Sequence, residues 1–482
     1  MPEHPDTESS RPEPAVDGDS AGSDQTGKAA AKTSSNGALL ATVMRPLNSL
    51  VERFIPSALV FAIVLTFIVA FMALVLTDAG PVQIVEEWGI GLSGLLDFIT
   101  QMALILFLGY ILATTRPVRK LLNRLGSVPK TPMQAYLFVF LVAACASLIT
   151  WGLGLVVGGL LAREVAYAFR VREVPVHFPM LVASGFAGFV VWHMGYSASG
   201  PLTAATPDSF IAEQLGDTIG IGRTIFATWN LIAILVTIVV VALALYLIAP
   251  RNDRSVVPLS IDAREAEVSV DDDVVTPADR VDASRIPTLA VGVLLVTYLV
   301  IHFATTGGLT LDIVNWSFLA LIMLLVRNPF ELIALTKNAA SNVGEILLQF
   351  PLYAGILGIM AGTGLIAVLS EAFITISTPE TFGLWSFLSA GLVNFFVPSG
   401  GGQIAVQAPI LLDAAEALGI DPAVPIMAVA YGDQWTNMIQ PFWALPLLAI
   451  AGLKMRDILS YTTIVLVASG LVFGATMLLV SL

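Results

Sequence analysis

The sequence predicts an all-α polytopic membrane protein, and three observations carry this prediction. Of the 482 residues, 56% belong to the hydrophobic set and only 12% are charged. Soluble globular domains carry roughly a quarter charged residues, so this chain lacks the polar surface that a water-facing globule needs. Stretches of about 20 mostly apolar residues, long enough to cross a bilayer as a helix, recur along the chain. The single cysteine, Cys145, excludes an internal disulfide framework and a thiol-rich metal site.

Two polar segments divide the chain. Residues 1–36 contain almost no large apolar side chain, so we expect a disordered acidic N-terminal tail. The tail lacks a basic stretch followed by an apolar one, so the first hydrophobic segment is expected to direct insertion. An acidic cytoplasmic loop at 250–285 separates a first membrane repeat at 45–249 from a second at 311–482, and a connecting transmembrane helix at 286–304 lies between the repeats.

Nine windows are long and apolar enough to be transmembrane helices. They are 56–77, 92–114, 178–206, 224–249, 286–304, 311–326, 345–370, 424–452 and 458–481. Two further apolar stretches, 133–168 and 382–417, are interrupted by glycine-rich sequence. Each arm then has about 15 residues, or roughly 22 Å of helix, which is shorter than the ~30 Å hydrocarbon core. We therefore expect two re-entrant hairpins in addition to the nine helices.

The basic residues predict the orientation. With the N-terminus in the cytoplasm, nine crossings and two returning hairpins place 22 of the 23 Lys and Arg residues inside, and only Arg223 outside. The C-terminus is then outside. We expect a multi-pass protein of the cell (inner, cytoplasmic) membrane. Helices and hairpins follow in the same order in both halves, and the single helix between the halves inverts the second one relative to the membrane. Such inverted repeats are common in secondary carriers. The formal net charge of -13 makes nucleic acid an unexpected partner.

Two of the predicted helices are broken by polar residues and proline. The broken helix at 178–206 contains the run from Trp192 to Pro201, and the one at 424–452 contains the run from Tyr431 to Pro441. Proline removes a backbone donor and opens the helix. Freed backbone groups are tolerated at membrane depth only where they are buried against protein or line a wet site. The two breaks and the two hairpin turns are therefore expected to meet near the midplane and form a binding site.

The four breaks supply groups for an anion and for a cation. Helix N-termini present N–H groups that suit a carboxylate, whereas freed carbonyls with Asn, Thr and Ser oxygens suit Na⁺. No Lys or Arg is expected deep within a span, which favours a small singly charged anion over a dicarboxylate. Trp151 and Trp435 fit the walls of a site and plain packing equally well. The substrate-binding candidates are Trp151, Gly152, Gly154, Ser197, Ser199, Ser399, Gly400, Gly401, Gly402, Gln403, Trp435, Thr436, Asn437 and Gln440.

Asp433 is the charged residue that most needs a function. It lies about ten residues into its span, where a charge costs about 3 kcal/mol or more, so we expect it to couple a cation or a proton. Helix capping is the structural alternative. Asn437, Thr436 and His193 are the other coupling candidates, and a Na⁺ site is expected near Asp433 and Asn437. The alternatives are interhelical hydrogen bonding for Asn437 and Thr436, and a satisfied core histidine for His193. No cofactor other than a coupling Na⁺ is expected.

Three runs of sequence resemble the bacterial short-chain fatty acid transporter family. They are ITWGLGLVVGGLLAREVA at 149–166, NFFVPSGGGQIAVQAPILLDAAEALGI at 394–420 and MAVAYGDQWTNMIQPFWALPLLAIAGLKMRDI at 427–458. The family belongs to the ion transporter superfamily, whose members resemble this layout of inverted repeats, hairpins and interrupted helices. The resemblance implies uptake of monocarboxylates such as butyrate or acetoacetate, a homodimer and an elevator-type motion. It places the hairpin-tip motif on 398–403 and the broken-helix motif on 433–441.

The sequence therefore predicts a secondary active transporter, not an enzyme, that moves a short-chain monocarboxylate together with H⁺ or Na⁺ within membrane lipid. The closest alternative is a dicarboxylate or amino-acid exchanger of the same superfamily. A channel and an intramembrane enzyme using His193 and Asp433 are the remaining alternatives. They are less favoured because the sequence contains no filter of repeated carbonyl or charged rings, no HExxH and no GxSxG.

Overall fold

The computed structural model describes residues 58–250, 256–259, 274–305, 308–340, 343–394, 397 and 399–482. The predicted tail lies outside these residues, as do Pro398 and most of the predicted cytoplasmic loop. The described part of the chain is helical and contains no strand. This confirms the all-α class.

The first half contains ten helices in the described residues. They are α1 (Ala58–Leu76), α2 (Pro81–Gly91), α3 (Leu96–Thr114), α4 (Arg116–Gly126), α5 (Pro132–Ile149), α6 (Trp151–Val171), α7 (Phe178–Ala187), α8 (Ser199–Ala205), α9 (Phe210–Leu215) and α10 (Thr228–Ile248). The second half follows with α11 (Pro277–Asp282), α12 (Ile286–Thr305), α13 (Leu311–Leu325), α14 (Pro329–Ala340), α15 (Gly344–Gly362), α16 (Leu365–Ile376), α17 (Phe382–Asn394), α18 (Gly400–Leu418), α19 (Ala423–Thr436), α20 (Pro441–Ala451) and α21 (Met455–Val480).

Seven helical segments of the described chain are long and apolar enough to cross a membrane, and one bent pair would make an eighth. The seven are Leu96–Thr114, Pro132–Ile149, Trp151–Val171, Phe178–Ala205, Thr228–Ile248, Ile286–Thr305 and Met455–Val480. Shorter apolar helices lie at Ala62–Leu76, Leu311–Leu325 and Phe382–Asn394. The membrane class is thus supported, while the count of nine spans stays a prediction.

The window predicted as one span at 345–370 is bent. The axes of α15 and α16 differ by 84° across a two-residue break. Gly364 sits in this break with φ of +76°, in the left-handed region that glycine adopts without a Cβ clash. The chain therefore changes direction inside an apolar run that hydropathy alone presents as continuous.

The two stretches predicted as hairpins differ in arm length. The first forms α5 and α6, of 18 and 21 residues, joined at Thr150. These helices are about 27 and 32 Å long, so the expectation of arms of about 15 residues is wrong here. The second stretch forms α17 and α18, of 13 and 19 residues. The hairpin assignment stays a prediction that rests on the glycine-rich breaks, and the inverted repeat stays a prediction that rests on the equal order of elements in the two halves.

Close packing places the first broken helix at the centre of the molecule. A Cβ on Gly158 of α6 would lie 2.9 Å from the carbonyl oxygen of Gly185 of α7, so these helices touch backbone to backbone. The Phe178–Ala205 segment is buried along its whole span window, whereas the window of Ile286–Thr305 is only 11% buried. The exposed side chains of α12 are largely apolar, which suits contact with lipid.

Candidate functional site

The first broken helix loses regular structure between α7 and α8. A 3₁₀ segment at Gly188–Met194 follows α7, and α8 begins only at Ser199. Protein groups satisfy backbone atoms freed by the break. Asn230 Nδ2 donates to the carbonyl of Met194 at 3.2 Å, and Tyr431 Oη donates to Asn230 Oδ1 at 2.8 Å. Both broken helices are thereby joined through Asn230.

The second broken helix opens at the predicted place. α19 ends at Thr436, a 3₁₀ turn occupies Asn437–Ile439, and α20 begins at Pro441. Proline suits the first position of a helix, where its missing N–H would have no intrahelical partner. The side chains of Asp433 and Asn437 are fully buried. The break therefore exposes its polar groups to the protein interior.

The two broken helices meet at His193 and Asp433. His193 Nδ1 lies 2.7 Å from Asp433 Oδ2, and neither side chain is exposed. The N–H of Gly200 donates to His193 Nε2 at 3.2 Å, so Nε2 is an acceptor and Nδ1 carries the proton that the carboxylate accepts. The backbone N–H of His193 donates to Gln434 Oε1 at 2.9 Å. We call His193 and Asp433 the buried pair.

Asn394, at the end of α17, is a residue that sequence reasoning missed. Its Nδ2 lies 2.6 Å from the carbonyl oxygen of Asp433, 2.9 Å from Thr436 Oγ1 and 2.7 Å from Asn437 Oδ1. Two N–H bonds are shared among these three acceptors. Gln440 Nε2 donates to the carbonyl of Asn394 at 2.9 Å. Asn394 could have been found as an amide residue in an apolar arm, a few residues before the glycines at 400–402.

Six polar side-chain atoms around this network are buried without a hydrogen-bond partner in the described part of the chain. They are Asn394 Oδ1, Gln403 Oε1, Asp433 Oδ1, Gln434 Nε2, Asn437 Nδ2 and Gln440 Oε1. An unpaired buried polar group costs about 1–3 kcal/mol, and solvent, an ion or a ligand commonly supplies the partner. Four of the six atoms are oxygens, the donor type that suits a hard cation such as Na⁺. No group of three or more His, Cys, Asp or Glu side chains that could hold a metal ion occurs in the described residues.

The glycines at 400–402, which begin α18, lie against the buried pair. Ser399 caps α18, because its Oγ accepts from the N–H of Gly402 at 3.2 Å. A Cβ on Gly400 would lie 2.6 Å from the Trp192 ring and 2.9 Å from His193 Cε1. The first N–H groups of a helix have no intrahelical acceptor and carry partial positive charge. The positive end of α18 therefore adjoins the pair.

Three tryptophans border the same region. The Trp192 ring stacks on His193 with centroids 4.0 Å apart, and it lies 6.4 Å from Trp151 and 6.3 Å from Trp443. The backbone N–H of Trp151 donates to Ser197 Oγ at 3.4 Å. The break between α5 and α6 is thus joined to the first broken helix. Trp443 was missed because an aromatic residue in an apolar helix has no distinguishing pattern.

Two of the predicted residues make contacts between helices, and their roles in binding stay predictions. Trp435 lies away from the three tryptophans, and its Nε1 donates to the carbonyl of Leu466 on α21 at 2.7 Å. Thr436 Oγ1 donates to the carbonyl of Gly391 at 3.0 Å, which ties α19 to α17. These contacts are of the kind described by the structural alternatives, which are packing for Trp435 and interhelical hydrogen bonding for Thr436.

The remaining predicted residues lie close to the breaks. Gln403 Nε2 donates to the carbonyl of Ala390 at 2.8 Å, and the side chain of Ser199 is buried. Gly152 packs against α3, and Gly154 packs closely against Ser147 of α5.

Arg163 corrects the expectation that no Lys or Arg lies deep within a span. It belongs to the span Trp151–Val171 and is 9% exposed, and no Lys or other Arg that the structure describes is buried. Its Nη1 donates to the carbonyl of Ile450 at 3.1 Å, at the end of α20. The negative end of a helix dipole suits a cation, so Arg163 has a structural partner away from the buried pair.

The comparison that decides the family covers nearly the whole chain. The sequence profile of the family described as short chain fatty acid transporter matches residues 39–480. The chain belongs to this family. A protein of Escherichia coli strain K12, provisionally named a short-chain fatty acid transporter, is 39% identical over 440 residues, which cover 90% of this chain and 98% of that protein. A protein of Haemophilus influenzae with the same name is 36% identical over 444 residues, with the same two coverages.

A solved structure supports the fold of this family member. The chain is similar to the Alcanivorax borkumensis YdaH transporter, with a TM-score of 0.57 and 16% identity over 87% of this chain and 98% of that one. At this identity the likeness concerns the fold alone. Family membership and the apolar helices support a multi-pass membrane transporter rather than an enzyme. The resemblance stated from the sequence is therefore confirmed.

Proposed function

We propose that this short-chain fatty acid transporter takes up monocarboxylates such as butyrate or acetoacetate by secondary active transport coupled to H⁺ or Na⁺. Family membership supports the substrate class. The observation that carries the proposal is the junction at the buried pair. There the two broken helices meet around unpaired polar atoms. Unpaired groups at this depth are retained where they serve a ligand or an ion.

The substrate carboxylate binds at the N-terminus of α18 in this proposal. The helix N-terminus offers N–H donors and partial positive charge without a full cation. Arg163, the one buried Arg or Lys among the described residues, is engaged at the carbonyl of Ile450. Without a second positive group, the site favours one carboxylate over two. This arrangement supports a monocarboxylate as the substrate.

The coupling ion binds at or beside Asp433. A Na⁺ would use the unpaired carboxylate oxygen with amide oxygens of Asn394 and Gln440, which have the right donor chemistry. A proton would instead be held by the hydrogen-bonded His193 and Asp433, whose side chains are 2.7 Å apart. Both ions use the same carboxylate, so Asp433→Asn should impair coupling in either case.

The transport cycle is proposed to be an elevator-type alternating access in a homodimer, with the N-terminus in the cytoplasm and the C-terminus outside. The resemblance to carriers of the ion transporter superfamily supports the motion and the dimer. The basic residues support the orientation, because the predicted topology puts 22 of 23 Lys and Arg residues on one side, and of these only Arg163 is buried among the described residues.

Uptake of radiolabelled butyrate into proteoliposomes tests this function. Imposed Na⁺ and proton gradients are applied separately, and one of them is expected to drive accumulation. Asp433→Asn and Asn437→Ala should lower that accumulation, whereas Asp217→Asn, at an exposed loop carboxylate, should leave it unchanged. Full uptake and unchanged ion dependence in both site variants would refute the proposed site. Competition by succinate or arginine stronger than by butyrate would favour an exchanger instead.

A further inference from the structure

Tyr353 on α15 lies against the first turn of α18. A Cβ on Gly402 would be 2.6 Å from Tyr353 Cδ2 and 2.8 Å from Cε2. The side chain of Tyr353 is 1% exposed, and its hydroxyl has no hydrogen-bond partner in the described part of the chain. A buried hydroxyl in this condition is unfavourable unless a ligand or solvent completes it.

Other buried tyrosines have their hydroxyls satisfied. Tyr136 Oη accepts from the N–H of His177 at 3.0 Å, and Tyr431 Oη donates to Asn230 at 2.8 Å. Tyr353 therefore differs from them in one respect. Its ring packs against the first turn of α18, and the hydroxyl on that ring is buried without a partner among the described residues.

The neighbouring surface of α18 is apolar. A Cβ on Gly401 would lie 3.0 Å from Phe350 Cε2, 3.0 Å from Phe98 Cζ and 3.2 Å from Met102 Cγ. The rings of Phe350 and Phe98 stack with centroids 6.2 Å apart, and the Phe350 ring lies 6.1 Å from that of Tyr353. One unpaired hydroxyl, helix N–H donors and an aromatic wall thus occur together.

We propose that the Tyr353 hydroxyl donates a hydrogen bond to the substrate carboxylate at the N-terminus of α18. The alkyl chain then packs against Phe98, Met102 and Phe350. This inference rests on the proposed function and assigns the residues that select the substrate. A second carboxylate would be placed against the apolar wall, where an unpaired charge is strongly disfavoured. The site is therefore selective for short acids with one charge.

Tyr353→Phe is the direct test, with Tyr136→Phe as the matched control. Loss of a hydrogen bond to a carboxylate is expected to raise the KM for butyrate about 10- to 100-fold in Tyr353→Phe. The thermal stability of the substrate-free variant should be equal to or above that of the wild type, because the lost hydroxyl was unpaired. Tyr136→Phe should show the opposite pattern, a lower melting temperature with an unchanged KM.

Met102→Ala provides a second, independent readout. Removing this part of the wall is expected to raise hexanoate uptake relative to butyrate, a change in selectivity that a purely structural role would not produce. An unchanged butyrate KM in Tyr353→Phe together with an unchanged hexanoate to butyrate ratio in Met102→Ala overturns the inference, provided that the wild type takes up butyrate. A wild type that neither binds nor takes up butyrate overturns both this inference and the proposed function.

Discussion

Substitutions at Asp433 can separate the hydrogen bond of the buried pair from its charge. In Asp433→Asn the amide oxygen still accepts the proton that His193 Nδ1 donates, across a distance that is 2.7 Å in the wild type. The hydrogen bond is kept and the negative charge is lost. In Asp433→Ala the same N–H has no acceptor at a fully buried position.

The expected stability difference follows from these two states. A buried donor left without an acceptor costs about 1–3 kcal/mol. The truncated side chain leaves a cavity of roughly 20 Å³, which adds about 0.5 kcal/mol. Asp433→Ala should therefore be about 1.5–3.5 kcal/mol less stable than Asp433→Asn. Equilibrium unfolding in mixed detergent micelles, followed by tryptophan fluorescence, measures this difference.

Transport should show a different pattern from stability. Both variants lack the charge, so both should lose gradient-driven accumulation of butyrate, and Asp433→Asn should keep exchange of internal for external butyrate. Radiolabel accumulation and counterflow in the same proteoliposomes separate the two activities. Full gradient-driven accumulation by Asp433→Asn would refute the coupling role. Equal stability of the two variants would refute the hydrogen-bond assignment.

Three further predictions concern other contacts. Asn394→Ala removes a donor shared among three acceptors, so it should cost about 2–4 kcal/mol of unfolding free energy and lower butyrate uptake, as measured in the same two assays. Burial lowers the pKa of His177 to about 4, whereas the unfolded value is about 6.5. The free energy of unfolding should therefore be highest above about pH 6.5 and fall by about 3 kcal/mol as the pH is lowered toward 4. His177→Gln should flatten this pH dependence of the free energy of unfolding. Gly158→Ala should cost about 1–3 kcal/mol because its Cβ would press on the backbone of α7, whereas Gly89→Ala meets open space and should be neutral or slightly stabilising in thermal unfolding.

Hydropathy predicted the helices well because length and apolar content determine a membrane span. The window 224–249 contains α10 at Thr228–Ile248, and 286–304 nearly coincides with α12 at Ile286–Thr305. The broken helices were also predictable, because proline and polar residues in an apolar run must open the helix. The bend at Gly364 was not predicted, since a single glycine in a hydrophobic stretch does not show whether the chain will turn.

The candidate site was predictable only where polarity was conspicuous. His193 and Asp433 stand out as ionisable residues in apolar sequence, and the structure joins them directly. Tyr353 and Trp443 do not stand out, because aromatic residues in apolar helices usually serve packing. Trp435 shows the converse case. It lies beside a break in the sequence, yet its indole is directed to α21.

The buried pair is difficult to explain by stability alone. A carboxylate within a span costs about 3 kcal/mol or more, and the neutral His193 gives it a hydrogen bond but no opposite charge, so the buried pair is a costly way to join two helices. The cost is higher here because Asp433 Oδ1 and nearby amide atoms remain unpaired among the described residues. An ion or proton that binds this carboxylate would reduce that cost and alter its bond to His193. Since His193 and Asp433 belong to different broken helices, binding at one carboxylate would change the contact between both, which is the property that coupled transport requires.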